Sequence, residues 1–138
     1  MKYIDWHKEH SLKHKAIIEH IKDKSKDEII EYFYYDNMRQ KHPNFCQLYA
    51  QNSKCHDMKN LNCYMCGCPY FRFKDDGIEI KGNRVVYSYC TQNLGDEFIS
   101  DNAIHHDCSK CTIPHTKKFI SDNFDLDWNV IMGDVYGV

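Results

Sequence analysis

Three thiols crowd into the run Cys63-Tyr64-Met65-Cys66-Gly67-Cys68, which Pro69 closes. Cysteines so close cannot pair comfortably with one another as disulfides, yet their sulfurs can converge on a soft metal centre. Five more lie on either side: Cys46 and Cys55 before the run, Cys90, Cys108 and Cys111 after it. In Cys63-x-x-Cys66 two thiolates reach one ion, and Gly67 permits the tight turn this hook requires. Cys108-x-x-Cys111 is a second hook. Two hooks separated by strands follow the logic of a zinc-ribbon-like site with four cysteine ligands, which groups Cys63 and Cys66 with Cys108 and Cys111. Cys46, Cys55, Cys68 and Cys90 then suffice for a second tetrahedral site. A period-two backbone would point Cys66 and Cys68 the same way, so the two sites would be neighbours, or Cys68 would join the first. His56, His105, His106 and His115 are substitute ligands, with the Cys55-His56 pair foremost. For each single histidine a surface or hydrogen-bonding role is the default.

Iron–sulfur clusters use the same thiolates, and a run of close cysteines ending in Cys-Pro is how cluster-binding segments finish. The Cys-x-x-Cys-x-Cys spacing differs from the ferredoxin pattern, so zinc is the first expectation and an iron–sulfur cluster the alternative. A thioredoxin-like use of either Cys-x-x-Cys needs a strand-to-helix junction, whereas Cys63–Cys66 leads into Gly-Cys-Pro and a strand. No paired carboxylates or Gly-rich phosphate loop stand out, and among eight cysteines no single nucleophile is marked.

The chain has 138 residues, one domain's length, with 42% apolar and 14% aromatic residues. A core of that composition leans on Tyr and Phe. The chain lacks any 18-residue apolar run, so no transmembrane helix is expected. Residues 1–30 carry charges or His throughout, which argues against a cleavable signal and for a reducing, cytoplasmic setting in which grouped cysteines bind metal. The net charge is −2. That balance lacks the basic footprint of a nucleic-acid binder, and the expected partner is a protein.

The elements that must position the cysteines begin with a helix over about Asp5–Lys22, on which Trp6, Ile17 and Ile21 share a face with His10 and His14. His7, His10 and His14 fall near one another there. With no third ligand in view, they are expected to form a solvated His-rich face. Ser25-Lys26-Asp27-Glu28 is a capping box that opens a second helix, carrying Ile29, Ile30, Phe33, Tyr34 and Met38 towards an end before Pro43. The Tyr32–Tyr35 aromatic run is expected to pack in the core. Residues 1–42 thus form a helical segment, and residues 43–138 a cysteine-rich metal-binding module in one folded unit with it. Three short antiparallel strands are expected over 70–74, 78–81 and 84–89, with turns at Asp76-Gly77 and Gly82-Asn83. A loop follows from Gly95 to His106. Pro114 then opens a short helix, and Phe124, Leu126, Trp128, Val130 and Ile131 form an apolar tail that docks on the core. The fold class is α+β: an N-terminal helical pair packed on a small antiparallel β-meander, with a short C-terminal helix.

Several segments together carry a resemblance: Asn37-Met38, Pro43-Asn44-Phe45-Cys46-Gln47-Leu48-Tyr49, Cys55-His56-Asp57, and Leu61 through Arg72. Ser88-Tyr89-Cys90 and Cys108-x-x-Cys111 extend it. This pattern, over residues 37–115, resembles the small cysteine-rich, zinc-finger-like domain of bacteria and archaea. The resemblance implies metal binding, with Cys46, Cys55, Cys63, Cys66, Cys68, Cys90, Cys108 and Cys111 as ligands by matching position. Some relatives in that family accompany cobamide-salvage proteins as fused or neighbouring modules. The expectation is a metal-binding protein whose thiolate-bound zinc, in up to two four-cysteine sites, holds a partner-binding module. An iron–sulfur protein in electron transfer or catalysis is the alternative, and a zinc-ribbon-like nucleic-acid binder the second alternative.

Overall fold

The first helix, α1 (Tyr3–Ile21), contains neither Gly nor Pro, and the Asp5 carboxylate accepts the Lys2 backbone N–H at 3.3 Å. Its inward stripe is His10, Ser11, His14, Ile17, Ile18 and Ile21, at the three- and four-residue spacing of one helical face. His10 and His14 are therefore core residues, contrary to the expectation of a solvated His face; His14 is wholly buried. The structure is a computed structural model and describes residues 2–137.

The capping box forms as the sequence requires. Glu28 N–H donates to Ser25 Oγ at 3.2 Å, Ser25 N–H donates to the Glu28 carboxylate at 3.1 Å, and α2 (Lys26–Tyr32) follows. The expected single second helix is nevertheless broken. The chain turns at Phe33, extends at Tyr34 and resumes as α3 (Tyr35–Lys41). The break has a partner: Cys63 N–H donates to Phe33 O at 2.8 Å and Tyr35 N–H to Leu61 O at 2.9 Å. Buried Asn62 completes the junction, donating to Ile30 O at 2.8 Å and accepting from Tyr64 N–H at 2.9 Å. Backbone groups lost to the helix are thus satisfied by the segment that enters the cysteine run. From the aromatic run, Phe33 and Tyr35 are buried.

After the single turn α4 (Gln47–Ala50), six short strands follow. They are not a simple meander. β1 (Phe71–Phe73) pairs antiparallel with β4 (Ser88–Cys90), while β2 (Glu79–Lys81), β3 (Arg84–Val86), β6 (Ala103–Asp107) and β5 (Asp96–Ile99) form a four-stranded sheet in that order. The Gly82-Asn83 hairpin joins β2 to β3 as expected, but the expected 84–89 strand divides at Tyr87 and serves both sheets. The segment from Gly95 to His106, expected as a loop, holds the β5–β6 hairpin, and β3 pairs with β6 in parallel. β5 is exposed at all four positions, so it lacks the inward apolar alternation by which strands are recognised.

Pro114 lies in a 3₁₀ turn (Ile113–His115). α5 (Lys117–Asp122) is capped by Thr116, and α6 (Trp128–Ile131) by Asp127. Of the apolar tail, Trp128 is buried with Met132 and Val135, whereas Leu126 and Val130 face solvent. One hydrophobic cluster unites α1, α2, Met65, Ile120 and Trp128, drawing on both the helical and cysteine-rich segments. The class is α+β. Among the described residues, no helix is long and apolar enough to cross a membrane.

Candidate metal centre

Cys63 and Cys66 are placed by the core itself. The Phe33–Cys63 backbone bond anchors one end of the hook, and Trp128 Nε1–H donates to Cys66 O at 3.1 Å at the other. Cys46 comes to them from the N-cap of α4, and Cys55 from the turns beyond it. The electrostatic neighbours of the Cys66 thiol are Cys63, Cys55 and Cys46, and those of Cys63 are Cys55 and Cys46. These four form one set.

The second set is assembled by the strands. The β1–β4 ladder puts Phe71 opposite Cys90, and Thr91 N–H donates to Tyr70 O at 2.9 Å, which brings the Cys68 turn alongside Cys90. His106 N–H donates to Ser88 Oγ at 2.7 Å, tying β4 to β6, at whose end Cys108 begins its hook. The turn closes with Cys111 N–H donating to Cys108 O at 3.0 Å. The neighbours of Cys68 are Cys90 and Cys111; those of Cys108 are Cys68, Cys111 and Cys90.

The grouping therefore differs from that read from the hooks: Cys46, Cys55, Cys63 and Cys66 stand together, as do Cys68, Cys90, Cys108 and Cys111. Gly67 is the physical reason. Its φ of +99° reverses the chain between Cys66 and Cys68, so the period-two extrapolation fails and the two sulfurs enter different sets. A Cβ on Gly67 would also lie 3.4 Å from the Trp128 ring. Gly67→Ala is expected to cost about 1–2 kcal/mol from the left-handed backbone, read as a lowered urea midpoint, and to loosen both centres together.

All eight cysteines are free thiols. Burial pushes Cys63 and Cys108 up to about 12, with the neighbouring sulfurs adding to it and, at Cys63, a hydrogen bond from Tyr49 opposing it; burial likewise lifts Cys55 and Cys68 to about 11 and Cys66 well above its ordinary value. Thiols this hard to ionise become thiolates only beside compensating positive charge, which a bound metal supplies. The buried Tyr49 hydroxyl faces the Cys63 sulfur as its hydrogen-bond partner and also has Cys46 beside it, so it is a donor placed to serve a metal-bound sulfur. Tyr3, whose hydroxyl neighbours include Cys66, Cys108 and Cys68, stands between the two sets. Sequence spacing carries no sign of either tyrosine.

Cys68, Cys90, Cys108 and Cys111 line a cavity of about 260 Å³ together with Tyr3, Tyr70, Phe71, Leu94, Ile113 and Pro114 and the imidazoles of His56, His106 and His115. A cavity of about 300 Å³ adjoins the other set at Cys46 and Cys66, beside Trp6, His10 and Phe45. Among the described residues, the group of three or more donor atoms gathered within 4.8 Å of one another is Cys55, His56 and His115. No three cysteine sulfurs among the described residues draw together so tightly. Of the substitute histidine ligands read from the sequence, His56 and His115 thus approach a cysteine, while His105 stacks on Tyr87.

The fold and this arrangement define an α+β protein with two four-cysteine sets. Comparison with protein-family models, curated proteins and solved structures finds no match.

Proposed function

We propose that the chain is a small iron–sulfur protein that carries electrons one at a time between protein partners, with a cluster at each cysteine set. The observation that carries this reading is the spread of the sulfurs along one cavity wall. In a four-cysteine zinc site with Zn–S of 2.3 Å, tetrahedral geometry puts the sulfurs about 3.8 Å apart and leaves nothing between them but the ion. Here four cysteines share the wall of a cavity of about 260 Å³ with aromatic, aliphatic and histidine side chains, and no three of the described sulfurs fall within 4.8 Å of one another. A polynuclear cluster, in which separate irons take the cysteines, occupies such a space.

The residues fit that occupant in three further ways. Tyr3, Tyr70, Phe71, Leu94, Ile113 and Pro114 give the sulfides an apolar wall. Pro69 turns the chain away directly after Cys68. The Tyr49 hydroxyl, beside Cys63, supplies a hydrogen bond to sulfur, one of the means by which a protein tunes a cluster's potential. Cys66 and Cys68 are two residues apart, at most about 7 Å along the backbone, so the two centres adjoin and an electron reaching one passes to the other. The clusters supply the redox chemistry; the chain's residues hold, shield and space them. The resemblance to the cysteine-rich, zinc-finger-like domain is compatible with either metal, since both use the same thiolates.

Anaerobic purification decides the matter. The expected product is brown, contains iron and acid-labile sulfide in equal amounts, and bleaches in the visible on reduction. A colourless protein with about two zinc ions per chain would replace this reading with the zinc-held, partner-binding module.

A further inference from the structure

Between the two cysteine sets lies a third group of donors that neither set uses in full. His56 Nε2 is 2.8 Å from Cys108 O, and His115 Nδ1 is 2.9 Å from Asn62 O. A carbonyl can only accept, so each of these nitrogens carries the ring's hydrogen and donates it. The opposite nitrogens, His56 Nδ1 and His115 Nε2, are left with bare lone pairs. Both meet Cys55 Sγ, at 3.1 Å and 3.8 Å, and all three atoms lie within 4.8 Å of one another. The rings themselves are close, their centroids 4.4 Å apart.

A thiol has one hydrogen and can satisfy only one of two lone pairs. Some other positive centre is needed for the second. The backbone carbonyls of Cys108 and Asn62 meanwhile do for these rings what outer partners do for metal-bound histidines, fixing tautomer and orientation. The spacing agrees: with metal–nitrogen bonds near 2.05 Å and a metal–sulfur bond near 2.3 Å, tetrahedral geometry asks for about 3.6 Å between sulfur and nitrogen. The observed pair of separations straddles that value.

The geometry points to a mononuclear site for a divalent first-row transition ion, held by Cys55 Sγ, His56 Nδ1 and His115 Nε2. One thiolate and two imidazoles suit an ion of borderline softness such as Zn²⁺, Co²⁺ or Ni²⁺. Three protein donors leave a fourth position for water or a small ligand, as in catalytic rather than closed structural sites. Both imidazoles border the cavity of the second cysteine set, and Cys55 is exposed, so the ion has a path from solvent. Cys55 also belongs to the first set, and its sulfur, with more than one lone pair, would be shared between the ion and a metal held by that set. The site stands on these three residues whichever metal fills the cysteine sets.

The test is titration of the purified holoprotein with Co²⁺ under argon, its resident iron or zinc counted before and after. One added equivalent of cobalt is expected, with the intense visible d–d bands of a four-coordinate ion and a thiolate-to-cobalt charge-transfer band, and with the resident metal undisturbed. His56→Ala, at a half-buried ring, and His115→Gln, which keeps a donor for Asn62 O, should each weaken binding by more than about tenfold, above the least effect of losing an outer partner. Absence of binding to wild type would overturn the site. So would equal affinity in wild type and both variants, or cobalt uptake matched by loss of resident metal. If either variant proves unstable, the other alone decides, and neither result depends on whether the protein is brown.

Discussion

Cys68→Ser is expected to remove one metal centre and leave the other intact, and Cys66→Ser to do the converse. A serine hydroxyl stays protonated at neutral pH and is a poor ligand for the soft ions that thiolates hold. Each substitution therefore breaks one set of four. Cys68 has Cys90, Cys108 and Cys111 around it, whereas Cys66 has Cys46, Cys55 and Cys63. The double variant Cys68→Ser/Cys108→Ser is the sharper experiment. Both changes fall in one set, so half of the metal should remain, as in Cys68→Ser alone. Were Cys63 and Cys66 grouped with Cys108 and Cys111, the double variant would lose all of it. Elemental analysis per folded chain reads the outcome. The two single variants should differ in stability as well. Cys63 belongs to the hydrophobic cluster and the Cys66 carbonyl holds Trp128, so loss of that centre loosens the helical core. The other set hangs on the strands, and its loss should leave the near-ultraviolet signal of Trp128 largely unchanged. Loss of all metal from Cys68→Ser would mean a single shared centre.

The difference between the two groupings shows which information a sequence carries. The donor types, the helix start at Ser25 and the hairpin at Gly82-Asn83 were legible because each depends on residues within a few positions of one another. The partition of the cysteines depends on a single backbone angle, at Gly67, and on which strand lies beside which. A glycine after a Cys-x-x-Cys hook announces freedom to turn; it does not say which way. Likewise, Phe33 and Tyr34 look helical by spacing, and only the distant Leu61–Cys63 segment gives their backbone groups a better use. β5 was invisible for the opposite reason: it buries nothing, so no apolar alternation marks it. His115 is separated from Cys55 by most of the sheet region, and its approach follows from the Asn62–His115 hydrogen bond rather than from any motif.

Acid should destabilise the folded chain well before its carboxylates titrate, and His14 is the main reason. Its ring is fully buried, stacked 5.0 Å from Phe33 and edge-on to Tyr64 at 4.7 Å. Nε2–H donates to Tyr64 O at 3.0 Å, while Nδ1 has no partner. Burial pushes this imidazole down to about 4, against the smaller upward pull of the Tyr64 carbonyl and Asp127; His10, buried one turn earlier, is pushed down to about 3 by burial, with His14, Lys13 and His7 adding to it. The unfolded chain binds a proton at each imidazole near pH 6.5, whereas the folded chain refuses it. Between pH 6.5 and about 4 the unfolded state thus holds more protons, so stability rises with pH. It is complete above 6.5, falls as the pH drops towards 4, and His14 takes nothing further below that. For a fully buried ring the loss is on the order of 3 kcal/mol. His10 adds less than its own shift suggests, because the two rings oppose each other's charging. In urea denaturation from pH 7 to pH 4, His14→Gln, which keeps an N–H for Tyr64 O but cannot take up a proton, should start less stable than wild type at pH 7. It should then lose about 3 kcal/mol less on the way down. Release of metal by acid is common to both proteins and drops out of the comparison. Parallel pH profiles would show that His14 is not held neutral by the core.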